Sequence, residues 1–137
     1  MVAFYGGVYL YTLGLFDRPL VNDDIPREEY VALCEDMSAE DFHRYCESER
    51  YVRMELTVVR SMEDMYDGYT YYVCTDRGGG TYKLLLRDCL LEGDMKFLSG
   101  DMIRVFGECG GTAWVRPTSG NDVQLPCLNI AYGELIG

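Results

Sequence analysis

A change of hydrophobic period near residue 51 constrains the fold of this chain more than any other sequence feature. From there on, apolar side chains alternate with polar ones, as in Val52, Met54, Leu56 and Val58. Strict alternation predicts a β-strand with one buried face. Further runs rich in Tyr and Val follow, separated by short turns, so we expect the chain from residue 50 onward to be mainly β.

Glycine-rich turns divide this part of the chain into five or six short strands. Turns are predicted at residues 61–68, 78–80 and 119–122, and the glycines after residue 107 predict another. Pro126 interrupts the last strand and predicts an edge or bulge position. Such a series is typical of a sandwich or a small barrel. The predicted strands are 51–59, 69–75, 81–87, 102–107, 112–116 and 123–132.

Two short helical patterns precede the first strand. Asp23 or Asp24 can cap the first helix, with Pro26 in its first turn. Ser38 followed by Asp41 resembles a capping box and begins the second helix. Apolar side chains at helical spacing predict one buried face on each helix. These are Tyr30, Leu33, Cys34 and Met37 in the first helix, and Phe42, Tyr45 and Cys46 in the second.

Several segments taken together resemble small OB-fold domains of Gram-positive bacteria. The resemblance covers about residues 26–136. Gly100-Asp101, before a strand that ends at Gly107-Glu108, is moderately specific, and the segments in this order are more specific than any one of them. The chain also resembles the C-terminal domain of a clostridial toxin-operon regulator. It departs from the family pattern at Ser48-Glu49-Arg50 and Thr57-Val58, and it has no lipobox. The segments that carry the resemblance are 27–34, 37–42, 50–56, 98–108 and 120–126.

The resemblance implies a mainly β, α+β fold: a five-stranded OB-type β-barrel preceded by one or two short helices. We therefore expect an apolar arm and loop over residues 1–24, a helical segment packed on the barrel over 25–49, and the barrel over 50–137. The resemblance also implies a binding or regulatory module with no catalytic residues. Because the family includes lipoprotein-like and membrane-tethered proteins, it implies an extracytoplasmic place for the chain.

The acidic charge is concentrated before the barrel. The net charge is −11, and residues 1–49 contribute −8 of it through eleven acidic and three basic side chains. Phosphate backbones repel such a chain, so we do not expect direct nucleic-acid binding. The acid either keeps the protein soluble or docks on a basic partner, as an inhibitor or nucleic-acid mimic acting in the cytoplasm. The candidate partner-binding acids are Asp23, Asp24, Glu28, Glu29, Glu35, Asp36, Glu40 and Asp41.

The N-terminal residues 2–16 carry no charge. This run is too short for a membrane-spanning helix, which needs about 20 residues. It has no basic region before it, which argues against an intact signal peptide. Its tyrosines and glycines favour a strand or an extended arm, and the tail of a truncated membrane anchor is the alternative.

Cysteine and histidine form no recognisable metal or catalytic motif. None of the six cysteines forms a C-x-x-C pair, so we expect mostly reduced, buried thiols, with one or two disulfides if the protein is exported. The single histidine, His43, could join Cys34 and Cys46, but a zinc site needs a fourth ligand. We therefore expect no metal, no cofactor and no enzyme activity.

Aromatic side chains provide the candidate binding site. Tyr69 and Tyr71 share one face of the second barrel strand, and Trp114 and Arg116 share a face near the last turn. OB folds bind ligands on their second and third strands and adjoining loops, where exposed aromatics and arginine can stack on a ligand. The alternative is that the tyrosines belong to the barrel wall. The leading hypothesis is a non-catalytic module that binds a protein or an oligomeric ligand.

Overall fold

The computed structural model describes residues 20–46, 50–63, 68–93, 95–115 and 123–136. Within these residues the chain forms two short helices and six strands. The elements are α1 (Arg27–Leu33), β1 (Glu35–Asp36), α2 (Ala39–Tyr45), β2 (Tyr51–Glu63), β3 (Thr70–Asp76), β4 (Leu84–Asp88), β5 (Met102–Val115) and β6 (Val123–Leu135).

Five of the strands close into a barrel. Neighbouring strands follow the order β2, β3, β4, β6, β5, and β5 pairs back onto β2. The β4–β6 pair is parallel, and the other four pairs are antiparallel. The short β1 adds to β2 in parallel, with Glu35 opposite Val52. The predicted fold class, a five-stranded OB-type barrel preceded by short helices, is confirmed.

The barrel interior is filled by the alternating apolar side chains. Val52, Met54, Leu56 and Val58 are at most 1% exposed, as the period-2 pattern predicted. Burial of this apolar surface is the main force that stabilises the barrel. The other strands contribute Tyr72, Cys74, Leu84, Leu86, Ile103, Val105, Leu128 and Ile130 to the same core.

Helix α2 and the side chain of Phe97, both outside the strands, cover the two ends of the barrel core. The Ser38 hydroxyl caps α2 by accepting a hydrogen bond from Asp41 N, 3.1 Å away. The helix then inserts Ala39 and Phe42, both fully buried, into the core. Near the opposite end, Phe97 packs on Tyr72, with ring centroids 5.3 Å apart.

Helix α1 packs on the outer wall of the barrel through Tyr30. This side chain is fully buried, and its ring centroid lies 5.0 Å from that of Tyr51 and 5.3 Å from that of Tyr132. Its hydroxyl donates to Glu108 Oε2 at 2.7 Å, and Asn22 N donates to the same oxygen at 2.6 Å. Glu108 therefore ties both α1 and the segment before it to β5.

The helices are shorter than the sequence pattern predicted. Helix α1 ends at Leu33 because Cys34 has extended backbone angles and the next two residues pair with β2. The predicted apolar face up to Met37 is therefore wrong in part, and Leu33 is 52% exposed. Tyr45, predicted to lie on the buried stripe of α2, is also 52% exposed.

Two predicted turns are replaced, in part or in full, by strand. Residues 61–63 of the turn expected at 61–68 are strand, because β2 continues to Glu63. The turn expected after residue 107 is absent, because β5 runs unbroken to Val115 and pairs with β6 along its length. The glycines instead lie at irregularities in the β5–β6 register, after Phe106 and between Cys109 and Thr112. Pro126, paired with Thr112, adjoins the second irregularity, as its bulge prediction requires.

The six cysteines form one disulfide. Cys46, at the end of α2, is bonded to Cys109 on β5, and their Cα atoms are 5.8 Å apart, a usual disulfide spacing. The other four cysteines hold reduced thiols, and Cys74 and Cys127 are buried. Burial raises the pKa of the Cys34 thiol to about 11. The prediction of mostly reduced thiols thus agrees with this arrangement.

Candidate functional site

The last two strands extend past the barrel as a two-stranded ribbon. The pairing of β5 with β2 ends at Glu108. Beyond the irregularity after Cys109, β5 pairs with β6 alone. The ribbon pairs Thr112 with Pro126 and Trp114 with Gln124. Gly111 has a φ of +82°, which favours glycine over other residues. We call residues 112–115 and 123–126 the β5–β6 ribbon.

Trp114 projects from one face of the β5–β6 ribbon into solvent. It is 69% exposed, the highest fraction among the large apolar side chains of the described residues. Beside it, Gln124 Nε2 donates to Thr112 Oγ1 at 2.7 Å, which orders this face. The other ribbon face, with Ala113 and Val115, packs against the barrel wall. Alternation along β5 therefore leaves the largest side chain of the ribbon uncovered.

Tyr69 and Tyr71 lie on the outer side of the barrel, in the same apolar cluster as the inner face of the ribbon. Tyr69 is half-buried, whereas Tyr71 is only 6% exposed. In this arrangement Tyr69 can offer ring surface to a ligand and Tyr71 cannot. Arg116 lies outside the described residues. The structure thus brings both tyrosines near the ribbon, while Trp114 points away from them.

A polar link across the outer wall was not predicted. Arg87 Nε donates to the Tyr71 hydroxyl at 2.7 Å, and the guanidinium carbon lies 5.3 Å from the ring centroid. Arg87 Nη1 also donates to Asn129 Oδ1 at 2.8 Å, and Asn129 Nδ2 donates to the carbonyl of Leu20. This link joins β3, β4 and β6 and holds Tyr71 in place. In the sequence, the only signal for this polar link is the position of Arg87 on the outer face of β4.

The predicted acidic residues are all exposed. Three of them pair with arginines: Glu35 with Arg50, Asp36 with Arg53, and Glu40 with Arg44. Within the described part of the chain, no ion pair reaches the other five. Glu28 and Glu29 lie in the first turn of α1, where the helix dipole favours acidic side chains. The unpaired acids, here called the open acidic set, are Asp23, Asp24, Glu28, Glu29 and Asp41.

A balanced ion-pair network covers another part of the barrel surface. Glu55 contacts Arg104 at 2.9 Å, Arg77 at 3.1 Å and Arg53 at 3.2 Å. Hydrogen bonds from Arg104 and then Arg77 hold the pKa of Glu55 below its usual value. Arg104 also pairs with Glu134 at 2.8 Å. The network keeps Glu55 ionised. Because its acidic side chains pair with arginines, this part of the barrel surface has little net charge.

The pocket beside this network is lined by carboxylates that have structural partners. It has a volume of about 410 Å³ and includes Asp36, Glu55 and Asp76 in its lining. Asp36 and Glu55 pair with arginines, and Asp76 Oδ1 accepts a hydrogen bond from Ala39 N at 2.8 Å. Each carboxylate therefore has a structural partner.

His43 has a structural contact. Its Nε2 lies within hydrogen-bond distance of the Lys83 carbonyl, and its ring centroid is 5.3 Å from that of Tyr82. In the described ranges, no group of three or more His, Cys, Asp or Glu side chains is arranged to hold a metal ion. No helix within those ranges is long and apolar enough to cross a membrane.

Comparison with known proteins adds no relative from which a role could be transferred. The chain matches no protein-family model, and no curated protein matches it at a significant level. A function must therefore be proposed from the exposed ribbon and the acidic residues themselves.

Proposed function

We propose that this chain is a non-catalytic binding module that recognises a protein or an oligomeric ligand through the β5–β6 ribbon. The observation that carries the proposal is the 69% exposure of Trp114. An indole in solvent is a large apolar surface with one hydrogen-bond donor, and tryptophans in this situation are enriched among binding hot spots. The module uses the ribbon as a rigid support for this side chain.

The surroundings of Trp114 support recognition that does not depend on charge. Thr112 and Gln124, on the same ribbon face, are uncharged. A partner that covers Trp114 would therefore bury the indole among uncharged neighbours, and its binding would resist added salt.

Capture from an extract of the source organism tests the proposal. Wild-type protein, Trp114→Ala and Tyr45→Ala are immobilised and challenged at low and high salt, and captured partners are identified by mass spectrometry. Tyr45 is the matched control, because it is an exposed aromatic that lies on α2 and not on the ribbon. Loss of a salt-resistant partner in Trp114→Ala alone supports the proposal. Equal capture by all three proteins contradicts it.

A second candidate is an acidic inhibitor or nucleic-acid mimic that occupies the cationic groove of a nucleic-acid-binding protein. The open acidic set favours it, because five exposed carboxylates without an arginine partner remain available to a basic surface. Long-range attraction between such surfaces weakens as salt is added. This candidate therefore predicts capture at low salt only.

Neutralising variants separate the two candidates. Asp23→Asn, Asp24→Asn, Glu28→Gln and Glu29→Gln are combined in one protein. Glu40→Gln is the control, because its carboxylate is already paired with Arg44 at 2.9 Å. If the mimic is correct, the combined variant loses its nucleic-acid-binding partner and Glu40→Gln keeps it. A partner retained by the combined variant rules the mimic out.

A further inference from the structure

We propose that the Cys46–Cys109 disulfide is a redox-controlled clamp that holds α2 across one end of the barrel. Cys46 follows the last residue of α2, and Cys109 lies on β5. Both are half-buried, so a small thiol can approach the bond. The proposal concerns the barrel end and is independent of the function proposed for Trp114.

The contacts of α2 show why it spans the barrel end. At its start, Ala39 N donates to Asp76 at the end of β3, and in its middle His43 contacts the carbonyl of Lys83, just before β4. The disulfide attaches the other end of the helix to β5. In the barrel order, β6 lies between β4 and β5. The helix is therefore fastened on both sides of the opening that it covers.

The C-terminal end of α2 depends most on the disulfide. The helix has seven residues, far fewer than an isolated helix needs to persist in water. Apart from the disulfide and the packing of Cys46 on the core, this end is joined to the strands by an exposed hydrogen bond of 3.1 Å from Arg50 to the Tyr45 carbonyl. Once the S–S bond is broken, local opening of α2 becomes easier. Such opening uncovers Ala39 and Phe42 and the barrel core beneath them.

A low-molecular-weight dithiol is the reductant in this scheme. Its thiolate attacks one sulfur of the pair, the protein S–S bond breaks, and the displaced cysteine leaves as a thiolate that takes up a proton. The second thiol of the reductant then displaces the other cysteine from the mixed disulfide, and this cysteine also takes up a proton. The protein gains two electrons and two protons, and the dithiol becomes a cyclic disulfide.

Hydrogen exchange followed by mass spectrometry tests the clamp. The full chain is compared before and after treatment with dithiothreitol, over times at which the strand amides stay protected. We expect amides of α2 to exchange at least tenfold faster after reduction, and those of β4 and β6 to change less than twofold. The double variant Cys46→Ser/Cys109→Ser should behave like the reduced protein without reductant.

The control variant is Cys34→Ser, because Cys34 holds a reduced thiol and is also half-buried. It should keep the slow exchange of α2 when oxidised and lose it on reduction, as the wild type does. Unchanged exchange of α2 after reduction overturns the proposal. Loss of amide protection throughout the barrel also overturns it, because the disulfide would then stabilise the whole fold and not α2 alone. Six titratable thiols in the isolated protein overturn it too, because the disulfide would then be absent.

Discussion

Substitution of Gly107 by alanine should destabilise the barrel strongly, because the β5–β6 backbones approach closely there. A Cβ atom at this position would lie 2.1 Å from the carbonyl oxygen of Asn129 and 2.9 Å from its carbonyl carbon. Real Cβ contacts stay beyond 3.0 Å, so the strands would have to separate by about 1 Å. The obstacle is backbone within a closed barrel, and it cannot rotate away as a side chain could.

The expected loss of stability follows from these contacts. Overpacking in a well-packed interior costs about 1–3 kcal/mol, and a backbone clash belongs at the upper end of that range. The reduced freedom of alanine in the unfolded chain offsets about 0.4–1 kcal/mol. We therefore expect Gly107→Ala to lower the free energy of unfolding by about 2–2.6 kcal/mol. For a domain of this length the melting temperature should fall by roughly 7–10 °C.

Chemical denaturation followed by circular dichroism measures this difference. Gly80→Ala is the matched control, because it makes the same change where the nearest atom, Asp76 Cβ, is 3.8 Å from the added methyl group. We expect the control to stay within about 0.5 kcal/mol of the wild type. If Gly107→Ala is as stable as Gly80→Ala, the close approach of β5 and β6 at this bulge is refuted.

Two further perturbations test the packing of α2 and α1. Phe42→Ala should lower the free energy of unfolding, measured by urea denaturation, by about 3–5 kcal/mol, because it empties a fully buried site. Tyr45→Ala on the same helix should change this free energy little, because Tyr45 is exposed. Equal losses in the two variants would contradict the packing described for α2. Burial and Glu108 raise the pKa of Tyr30, and burial raises that of Cys34 to about 11. Both groups ionise first in the unfolded chain, Cys34 at a lower pH than Tyr30, so stability should be constant below about pH 8 and fall as the pH rises toward 11 and beyond. In Tyr30→Phe the urea midpoint should fall less steeply between pH 8 and 11 than in the wild type. An unchanged dependence of the midpoint on pH would contradict the assignment of this loss to Tyr30.

The barrel core was predictable because its signal is local. Alternation from Val52 to Val58 identifies the buried face of β2 without knowledge of its partners. The same holds for the cap at Ser38, where hydroxyl and amide are three residues apart. These features depend on neighbours in the chain, which the sequence displays directly.

Features decided by distant residues were not predictable in this way. Helical spacing continued past Leu33, but pairing of Glu35 and Asp36 with β2 ends the helix there. The disulfide joins cysteines 63 positions apart, and spacing alone cannot select one pairing among six cysteines. The burial of Tyr71 likewise depends on the outer wall of the barrel, which an alternating strand pattern does not describe.

The glycines of β5 show how one misread signal bears on the candidate site. Glycines 107, 110 and 111 predict a turn from local sequence, but continuous pairing with β6 converts them into bulges. After the second bulge the strand has left the barrel, so Val115 packs against the outer wall and not in the interior. The alternation that buries Val115 then directs Trp114 to solvent. The exposure of Trp114 thus follows from the bulges. A one-residue change in the β5–β6 register would exchange the two faces of the ribbon and bury Trp114, the side chain on which the proposed binding function rests.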